Sequence, residues 1–282
     1  MGEKRQVQKS SSVCALLTGR GNNSLKDKNV LDILGHPVLY YPGKAAAESS
    51  LIERYFCSSD DQKILEEAQR LGFQSIVRPE EYARPDSQHV DCILHALRVM
   101  EQEGYHPQIL IVLLANNVTV ETRWIDDCIR LMQENMQLSA VVPVYQDNDH
   151  HPLRAKRMNE QGLLEMYEQN VSEKISTNRQ DLPKTYFLAH NFWVLNVQTL
   201  LKGEGGQMPW AFMGHRILPY EIEESIDIHD TMDLEIARLW LEKNHFQHKP
   251  GSGSCAKLNL ESQPDSDKTD INTVSVVANS IE

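Results

Sequence analysis

The chain lacks the features of several common protein classes. Its 282 residues contain no apolar run near the roughly 20 residues that a membrane-spanning helix requires. The segment Met1–Ser12 is polar, and no apolar stretch of the kind found in a signal peptide follows it. We therefore expect a soluble protein of the cytoplasm that does not act at a membrane.

Paired cysteines and positive charge are also scarce. The five cysteines are scattered and never stand in a CxxC spacing, which argues against a zinc site or a disulfide framework. The formal net charge of −12 argues against a nucleic-acid partner, because duplex affinity depends on clustered lysine and arginine. No repeat of about 20–50 residues is present, so solenoids and propellers are excluded.

Apolar runs alternate with amphipathic segments along the first half of the chain. We predict strands at Val13–Leu17, Ile52–Ser58, Ser75–Val77, Gln108–Leu114 and Ser139–Val144. We predict helices between them at Pro37–Ser49, Gln62–Leu71, Asp91–Gln102 and Trp124–Met136. This alternation indicates an α/β fold with a mostly parallel sheet, helices on both faces and ligands at the carboxyl ends of the strands.

The pattern loosens after Val144. A hairpin is predicted at Ala155–Leu164, a strand at Tyr186–Leu195 and a closing helix at Asp230–Glu242, with an insertion or lid at Lys174–Pro183. From Phe246 onward the chain is rich in glycine, serine and aspartate and poor in apolar residues, which is typical of disorder. We thus predict a flexible N-terminus over residues 1–11, one domain over 12–245 and a disordered tail over 246–282.

The loop after the first strand combines glycine with basic and amide side chains. Eleven positions contain Gly19, Arg20, Gly21, Asn22, Asn23, Ser24, Lys26, Lys28 and Asn29. Glycines let the backbone approach phosphates, and arginine and lysine balance phosphate charge. The loop is neither a P-loop nor a dinucleotide fingerprint. It is a candidate triphosphate site, although a surface loop with two lysines explains the same residues locally.

Five parts of the chain together suggest a family. They are Leu16–Asn29, Leu34–Leu39, Ser58–Ile64 with the later Arg78-Pro79, Asp149–Arg154 and Ser225–Leu234. In that order they resemble segments of the acylneuraminate cytidylyltransferases, also called CMP-sialic acid synthetases, including the S-T-D-D-x-x-I and I-D-I-D-T-x-x-D-L motifs. The resemblance extends from about Val13 to Lys243. It implies a Rossmann-like nucleotidyltransferase domain with a small dimerisation element, and hence a homodimer.

The resemblance also implies a reaction and a nucleotide site. The anomeric hydroxyl of an acidic sugar would attack the α-phosphorus of CTP with Mg²⁺ bound, and pyrophosphate would leave. Arg20, Lys28 and Asp227 are implied to be catalytic, the first two at the triphosphate. The wider nucleotide-binding set comprises Thr18, Gly19, Gly21, Asn22, Asn29, Ser58, Asp60 and Arg78.

Asp227 matches the first metal-binding aspartate of the family, whereas His229 stands at the second metal position. Imidazole is a poorer ligand for Mg²⁺ than carboxylate. Either Asp230 takes that position, or Asp227 suffices with water and phosphate. Asp230 can instead cap the following helix with support from Asp233. His229 also permits a softer metal or a hydrogen bond to pyrophosphate.

The resemblance gives a broader set of sugar contacts. Arg154 and Arg157 could each pair with a sugar carboxylate, and Tyr186, His190 and Asn191 lie where the family places substrate contacts. Many members read L-Q-P-T-S-P where this chain has Leu114–Thr119, so Asn116 or Asn117 is expected to replace the sugar-facing glutamine. A legionaminic-like, pseudaminic-like or other nonulosonic acid therefore fits the sequence as well as sialic acid does.

Three other interpretations stay open. An enzyme on the same scaffold could activate 3-deoxy-octulosonate or a phosphonate, since a fold does not fix the substrate. A nucleotide-binding homologue with weakened catalysis is suggested by Ala115 and His229, although the presence of Asp227 argues against it. A glycosyltransferase would normally carry a D-x-D motif after the mid-chain strand, where this chain has Ala115-Asn116-Asn117.

Overall fold

Strands and helices alternate through the part of the chain that the computed structural model describes, which is residues 11–21, 23–169 and 174–245. The strands are β1 (Val13–Thr18), β2 (Asp32–Ile33), β3 (His36–Pro37), β4 (Arg54–Ser59), β5 (Gln74–Val77), β6 (Ile109–Leu114), β7 (Ala140–Gln146), β8 (Lys156–Met158), β9 (Leu164–Met166), β10 (Tyr186–Leu188), β11 (Phe192–Asn196) and β12 (Ile217–Glu221). The helices are α1 (Tyr40–Ala47), α2 (Gln62–Arg70), α3 (His89–Gln102), α4 (Thr122–Glu134), α5 (Val197–Lys202) and α6 (Thr231–His245). The flexible N-terminus predicted up to residue 11 and the tail predicted over 246–282 fall almost wholly outside these residues.

A central sheet of eight strands organises the fold. From one edge, β5, β4, β1 and β6 are mutually parallel, with β1 between β4 and β6. Strand β11 runs antiparallel between β6 and β7, β10 pairs antiparallel with the later part of β7, and β12 pairs in parallel with β7. The predicted mostly parallel α/β architecture is therefore confirmed.

Both faces of the sheet are covered, which explains the nearly unbroken apolar runs. On β1, Leu17 packs on one face and Leu16 on the other, and both are fully buried. Helices α1, α2, α4 and α6 pack on the Leu17 face, while α3 and α5 pack on the Leu16 face. Of the helices described, none is long and apolar enough to cross a membrane.

The predicted single strand at Tyr186–Leu195 is wrong in one respect, because the chain is interrupted between β10 and β11. Leu188 lies opposite Val144 and Val194 lies opposite Val141, so five residues on one strand face two on the other. Pro143 has no N–H and cannot complete the ladder opposite Ala189, whose N–H donates to the Pro143 carbonyl at 2.9 Å. The extra residues form a bulge in the ladder with β7, and bulges commonly redirect side chains.

Several elements were not predicted from the sequence. They are the short β2–β3 pair, α5 and β12. The predicted hairpin is present as β8 and β9. Within the predicted lid, the structure describes residues 174–183 and contains a single short 3-10 turn at Arg179–Asp181. The role of this segment as a lid stays a prediction.

Candidate active site

A cavity of about 320 Å³ lies at the carboxyl ends of β1, β5 and β6. Its position is the one expected for a ligand in a parallel α/β sheet, and its volume suits a small molecule. The side chains and backbone that line it belong to Thr18, Gly19, Arg20, Asn23, Lys28, Asn29, Arg78, Tyr82, Ser87, Gln88, His89, Cys92, Leu114, Asn116 and His229. Parallel strand order therefore brings together residues separated by up to about two hundred positions in the chain.

The loop that follows β1 is held by backbone-directed contacts. The Gly21 N–H donates to Asp60 Oδ1 at 3.0 Å, and the Asn29 side-chain amide donates to the Arg20 carbonyl at 3.1 Å. A Cβ on Gly21 would lie 2.7 Å from Asp61 Oδ2, so this position requires glycine for close approach. Asp60 supports the loop without lining the cavity, and Asn22 lies outside the described residues.

Two cations of this loop face the cavity. The Arg20 guanidinium donates from Nη1 to the Arg84 carbonyl at 3.0 Å. Lys28 is buried, and its Nζ donates to the Ile228 carbonyl at 2.8 Å. Burial lowers the pKa of Lys28, an effect that Asp227 opposes and Arg20 reinforces. An anion bound in the cavity would offset this burial cost and favour the charged lysine.

Arg78 supplies a third cation at the cavity, and it is buried. Its Nε donates to Ser58 Oγ at 3.2 Å, and its Nη2 donates to the Ser58 carbonyl at 2.7 Å. Ser58 is fully buried and does not line the cavity. The structure thus separates two predicted nucleotide residues into a wall residue, Arg78, and the residue that orients it, Ser58.

Asp227 lies beside the cavity, next to two residues that line it. Its Oδ1 accepts a hydrogen bond from Asn116 Nδ2, and its Oδ2 lies 3.4 Å from His229 Nε2. Burial raises the pKa of Asp227, an effect that His229, Lys28 and His190 oppose. The network brings Lys28, Asn116, Asp227 and His229 into one cluster, and thereby joins the first loop to the segment before α6.

Asp230 has a different role in the structure. Its Oδ1 accepts hydrogen bonds from the backbone N–H groups of Met232 at 2.8 Å and Asp233 at 3.0 Å. In return, Asp233 Oδ2 accepts from the N–H groups of His229 and Asp230. This reciprocal capping box begins α6. Of the alternatives that the sequence leaves open for Asp230, the geometry favours the helix cap.

The described side chains near Asp227 can bind Mg²⁺ only through the Asp227 carboxylate together with ligands from a nucleotide. Among the described residues there is no group of three histidine, cysteine or acidic side chains that could enclose a metal. Mg²⁺ is commonly held by one or two carboxylates together with substrate phosphates and water, so a protein cage is not required. Asp227 therefore fits as a single carboxylate ligand, with nucleotide phosphate completing the set.

The amides predicted to contact the sugar separate into two kinds. Asn117 is fully buried and donates to the His190 carbonyl and to Ser225 Oγ, both at 2.9 Å. Asn191 is also fully buried, and its Nδ2 donates to the Thr119 carbonyl at 2.9 Å. These two amides hold loops together and are not free to bind a ligand. Asn116 lines the cavity, and half-buried His190 lies near Asp227 on the bulge before β11.

The other predicted sugar contacts do not line this cavity. Arg154 lines a second cavity of about 500 Å³ and pairs with Asp149 at 3.3 Å. Arg157 is exposed on β8 and pairs with Glu165 of β9 at 2.6 Å. Tyr186 is 43% exposed at the start of β10. Within one chain, the structure does not bring these three residues to the nucleotide-sized cavity.

One wall of the cavity was missed from the sequence. It consists of Tyr82, Ser87, Gln88, His89 and Cys92, which precede or begin α3. His89 is the most informative of them, because its Nε2 lies 3.0 Å from Thr18 Oγ1. The sequence does contain an indication of this wall. The helix α3 follows Arg78-Pro79, which come directly after β5, so the N-terminus of α3 lies near the carboxyl ends of the parallel strands.

Comparisons with known proteins agree with this geometry. A family model described as cytidylyltransferase matches residues 21–191, which is more than half of the chain. N-acylneuraminate cytidylyltransferase of Escherichia coli is 24% identical over 241 residues, covering 84% of this chain and 54% of that protein. Pseudaminic acid cytidylyltransferase of Campylobacter jejuni is 21% identical over 238 residues, covering 83% of this chain and 97% of that protein. The chain thus spans about half of the first relative and nearly all of the second.

Solved structures show the same fold. A CMP:2-keto-3-deoxy-manno-octonic acid synthetase complexed with CTP has a TM-score of 0.60 at 16% identity, covering 83% of this chain and 99% of that one. A 4-diphosphocytidyl-2C-methyl-D-erythritol synthase from Anaerococcus prevotii has a TM-score of 0.58 at 11% identity, covering 83% and 97%. Because the family model matches residues 21–191, more than half of the chain, the chain belongs to the cytidylyltransferase family.

Proposed function

We propose that this protein transfers CMP from CTP to the anomeric hydroxyl of an acidic sugar and releases pyrophosphate. The observation that carries the proposal is the single cavity in which Arg20, Lys28 and Arg78 meet the Asn116–Asp227–His229 network. Three cations that line one cavity suit a polyanion such as a nucleoside triphosphate. Because the chain belongs to the cytidylyltransferase family, the proposed polyanion is CTP.

The reaction requires mainly positioning and charge stabilisation. The anomeric hydroxyl loses its proton to water, its oxygen forms a bond to the α-phosphorus while the bond from that phosphorus to the bridging oxygen breaks, and the electron pair leaves with pyrophosphate. Arg20 can hold phosphate oxygens through its planar fork, and Lys28 supplies a compact charge from a fixed position beside the Ile228 carbonyl. Both residues stabilise charge that accumulates as pyrophosphate leaves.

We propose Asp227 as the protein ligand of Mg²⁺. When bound, the ion would neutralise phosphate charge and polarise the phosphoryl group. Asn116 and His229 hold the Asp227 carboxylate from two sides, so they act here as positioning residues. Asp230 is absent from this proposed set because both of its capping bonds belong to α6.

The sugar is proposed to be a nonulosonic acid or a closely related keto-acid sugar. The names of the relatives cover N-acylneuraminate and pseudaminic acid, and that of the structural neighbour covers 2-keto-3-deoxy-manno-octonic acid. These compounds share an anomeric carbon that bears a carboxylate. Asn116 and His190 are the proposed sugar-side contacts within one chain, because they lie on the two segments that flank Asp227.

The remaining organisation is proposed on the same basis. We propose residues 12–245 as the catalytic domain and a homodimer as the assembled form, in which a second chain could bring Arg154, Arg157 or Tyr186 towards the sugar. A cytoplasmic location agrees with Cys14, Cys57, Cys92 and Cys128, which are buried and unpaired thiols.

A panel assay tests the proposed reaction. The purified full chain with Mg²⁺ is incubated with CTP, UTP, ATP or GTP and with sialic, pseudaminic, legionaminic or 3-deoxy-octulosonic acid, and pyrophosphate is measured. We expect release with CTP and at least one of these acids, dependent on both substrates. Release that is faster with another nucleotide for every acid would contradict the proposal, as would CTP breakdown that is independent of the sugar.

A further inference from the structure

His89 presents a fixed hydrogen-bonding pattern to the cavity. It begins α3 and lines the cavity wall, and its Nε2 lies 3.0 Å from Thr18 Oγ1. The Thr18 hydroxyl donates its one hydrogen to the Leu113 carbonyl at 3.1 Å. With that hydrogen on the Leu113 carbonyl, Thr18 accepts from His89, and the imidazole hydrogen then lies on Nε2. A neutral His89 then has a lone pair, and no hydrogen, on Nδ1.

That lone pair is available to a ligand. No hydrogen bond to His89 Nδ1 is formed by any part of the chain that the structure describes. Buried side-chain polar atoms without a partner among these residues belong to His95 and Trp193, so His89 Nδ1 is not sealed from the cavity. The ring is held against Trp193, with 5.2 Å between ring centroids. His89 is thus an oriented hydrogen-bond acceptor with limited freedom to rotate.

The surroundings keep this ring neutral. Burial lowers the pKa of His89 to about 3, and the positive charges of Arg78, His190 and Arg20 act in the same direction. Near pH 7 the imidazole therefore carries one hydrogen, on Nε2. The acceptor at Nδ1 is consequently present throughout the neutral pH range.

The two parts of the cavity differ in charge. Arg20 and Lys28 belong to the loop after β1, and Lys28 reaches the Asp227 network. The α3 side contains one cation, Arg78, whose guanidinium is bonded to Ser58, and it contains Tyr82, Ser87, Gln88, His89 and Cys92, which carry no formal charge at pH 7 when His89 is neutral. A nucleotide with its phosphates at Arg20 and Lys28, beside the Asp227 network, would direct its base towards the α3 side.

We propose that His89 selects cytosine by accepting a hydrogen bond from the 4-amino group at Nδ1. This inference rests on the proposed use of CTP and adds the residue that enforces it. Cytosine has an amino donor at the position where uracil has a carbonyl acceptor. With uracil, the lone pair of the carbonyl oxygen would face the lone pair of His89 Nδ1. Neither acceptor would then have a hydrogen-bond donor, which would reduce the affinity for uracil.

Calorimetric titration of the full chain with CMP and UMP, without metal, tests the assignment. We expect wild type to bind CMP at least about tenfold more tightly than UMP, a difference of about 1.4 kcal/mol. His89→Gln should bring this ratio close to one, because a glutamine amide can rotate to present either an acceptor or a donor. His106→Gln, at an exposed histidine remote from the cavity lining, should keep the wild-type ratio.

The outcomes separate this inference from the proposed function. A folded His89→Gln protein with the wild-type CMP preference would overturn the His89 assignment alone. Wild type that binds neither nucleotide, or prefers UMP, would overturn the use of CTP and the inference with it. Nitrogen NMR of imidazole-labelled wild type gives a result that does not depend on any variant: CMP should shift the Nδ1 resonance of His89 and leave Nε2 protonated. An unchanged Nδ1 resonance at CMP saturation would also overturn the assignment.

Discussion

At the scale of single residues, three nearby carboxylates divide into two roles. Asp227 is held by Asn116 and His229 beside the cavity, whereas Asp230 and Asp233 exchange capping hydrogen bonds at the start of α6. The sequence motif places all three within seven positions and does not distinguish them. Their hydrogen-bond partners do, and the two roles lead to opposite predictions for substitution.

Asp227→Asn keeps the side-chain shape and removes its charge. We expect kcat to fall by at least about tenfold, equivalent to about 1.4 kcal/mol of barrier, while thermal stability changes little. Steady-state pyrophosphate release across a Mg²⁺ titration measures the effect. Wild-type kcat at every Mg²⁺ concentration would remove Asp227 from the mechanism.

Asp230→Ala should show the opposite pattern. Loss of a helix cap typically costs about 1 kcal/mol of unfolding free energy, so the melting temperature should fall by about 2–4 °C. Catalysis should stay within about threefold of wild type, since this is less than 1 kcal/mol of barrier. Measuring the melting temperature by calorimetry together with kcat distinguishes a helix cap from a metal ligand. A large loss of kcat with unchanged stability would return Asp230 to the metal site.

The pH dependence of base selection follows from the lowered pKa of His89. A histidine with the ordinary value of 6.5 would gain a hydrogen on the acceptor nitrogen as the pH falls through that value, whereas His89 does so only near a pKa of about 3. Positive charge on Arg78, Arg20 and, at lower pH, His190 favours the neutral form of His89. The CMP-to-UMP affinity ratio should therefore be constant between about pH 5.5 and 8.5. A ratio that collapses between pH 7 and 6 would show that His89 titrates normally.

At the scale of elements, the loop after β1 depends on close approach to the β4–α2 turn. Gly21→Ala would place a Cβ 2.7 Å from Asp61 Oδ2 and 2.9 Å from Asp61 Cβ, which forces the loop away from Asp60. We expect CTP affinity to fall by about tenfold or more, because Arg20 moves with the loop. Titration with CTP measures this change. Unchanged affinity would mean that the loop adapts without cost.

The sequence predicted elements with strong local patterns and missed features set by tertiary contacts. The apolar run of β6 and the Asp61 cap of α2 were predictable, and Asp61 Oδ1 accepts from the Lys63 N–H at 2.8 Å. The bulge between β10 and β11 depends on Pro143 of another strand, which a local pattern cannot reveal. The burial of Asn117 and Asn191 likewise depends on loops distant in sequence.

At the scale of the whole molecule, the proposed dimer would use the β8–β9 hairpin to contact the second copy of the chain. Met158, Leu164 and Tyr167 are 71%, 73% and 64% exposed. Arg157 and Glu165 pair with each other at 2.6 Å within the hairpin, so the apolar side chains would form the contact, and a twofold axis would bring the same apolar surface of each copy together. A two-stranded hairpin is marginal alone and gains stability when covered.

Leu164→Glu should convert the proposed dimer into a monomer. Light scattering after size-exclusion chromatography measures the mass, and we expect twice the chain mass for wild type. Leu239→Glu, at a 58% exposed position on α6, should leave the dimer intact and serves as the control. A monomeric wild type would contradict the proposed assembly and leave the nucleotide site unaffected.

The central claim is nucleotidyl transfer, and the fate of each phosphorus of CTP tests it most directly. The full chain is incubated with Mg²⁺, an acidic sugar that supports turnover in the panel assay, and CTP labelled at either the α- or the γ-phosphorus. We predict that the α-label appears in a CMP-sugar and the γ-label in pyrophosphate, in equal molar amounts. Transfer of the γ-label to the sugar, or release of the α-label as free CMP without a sugar product, would contradict the account.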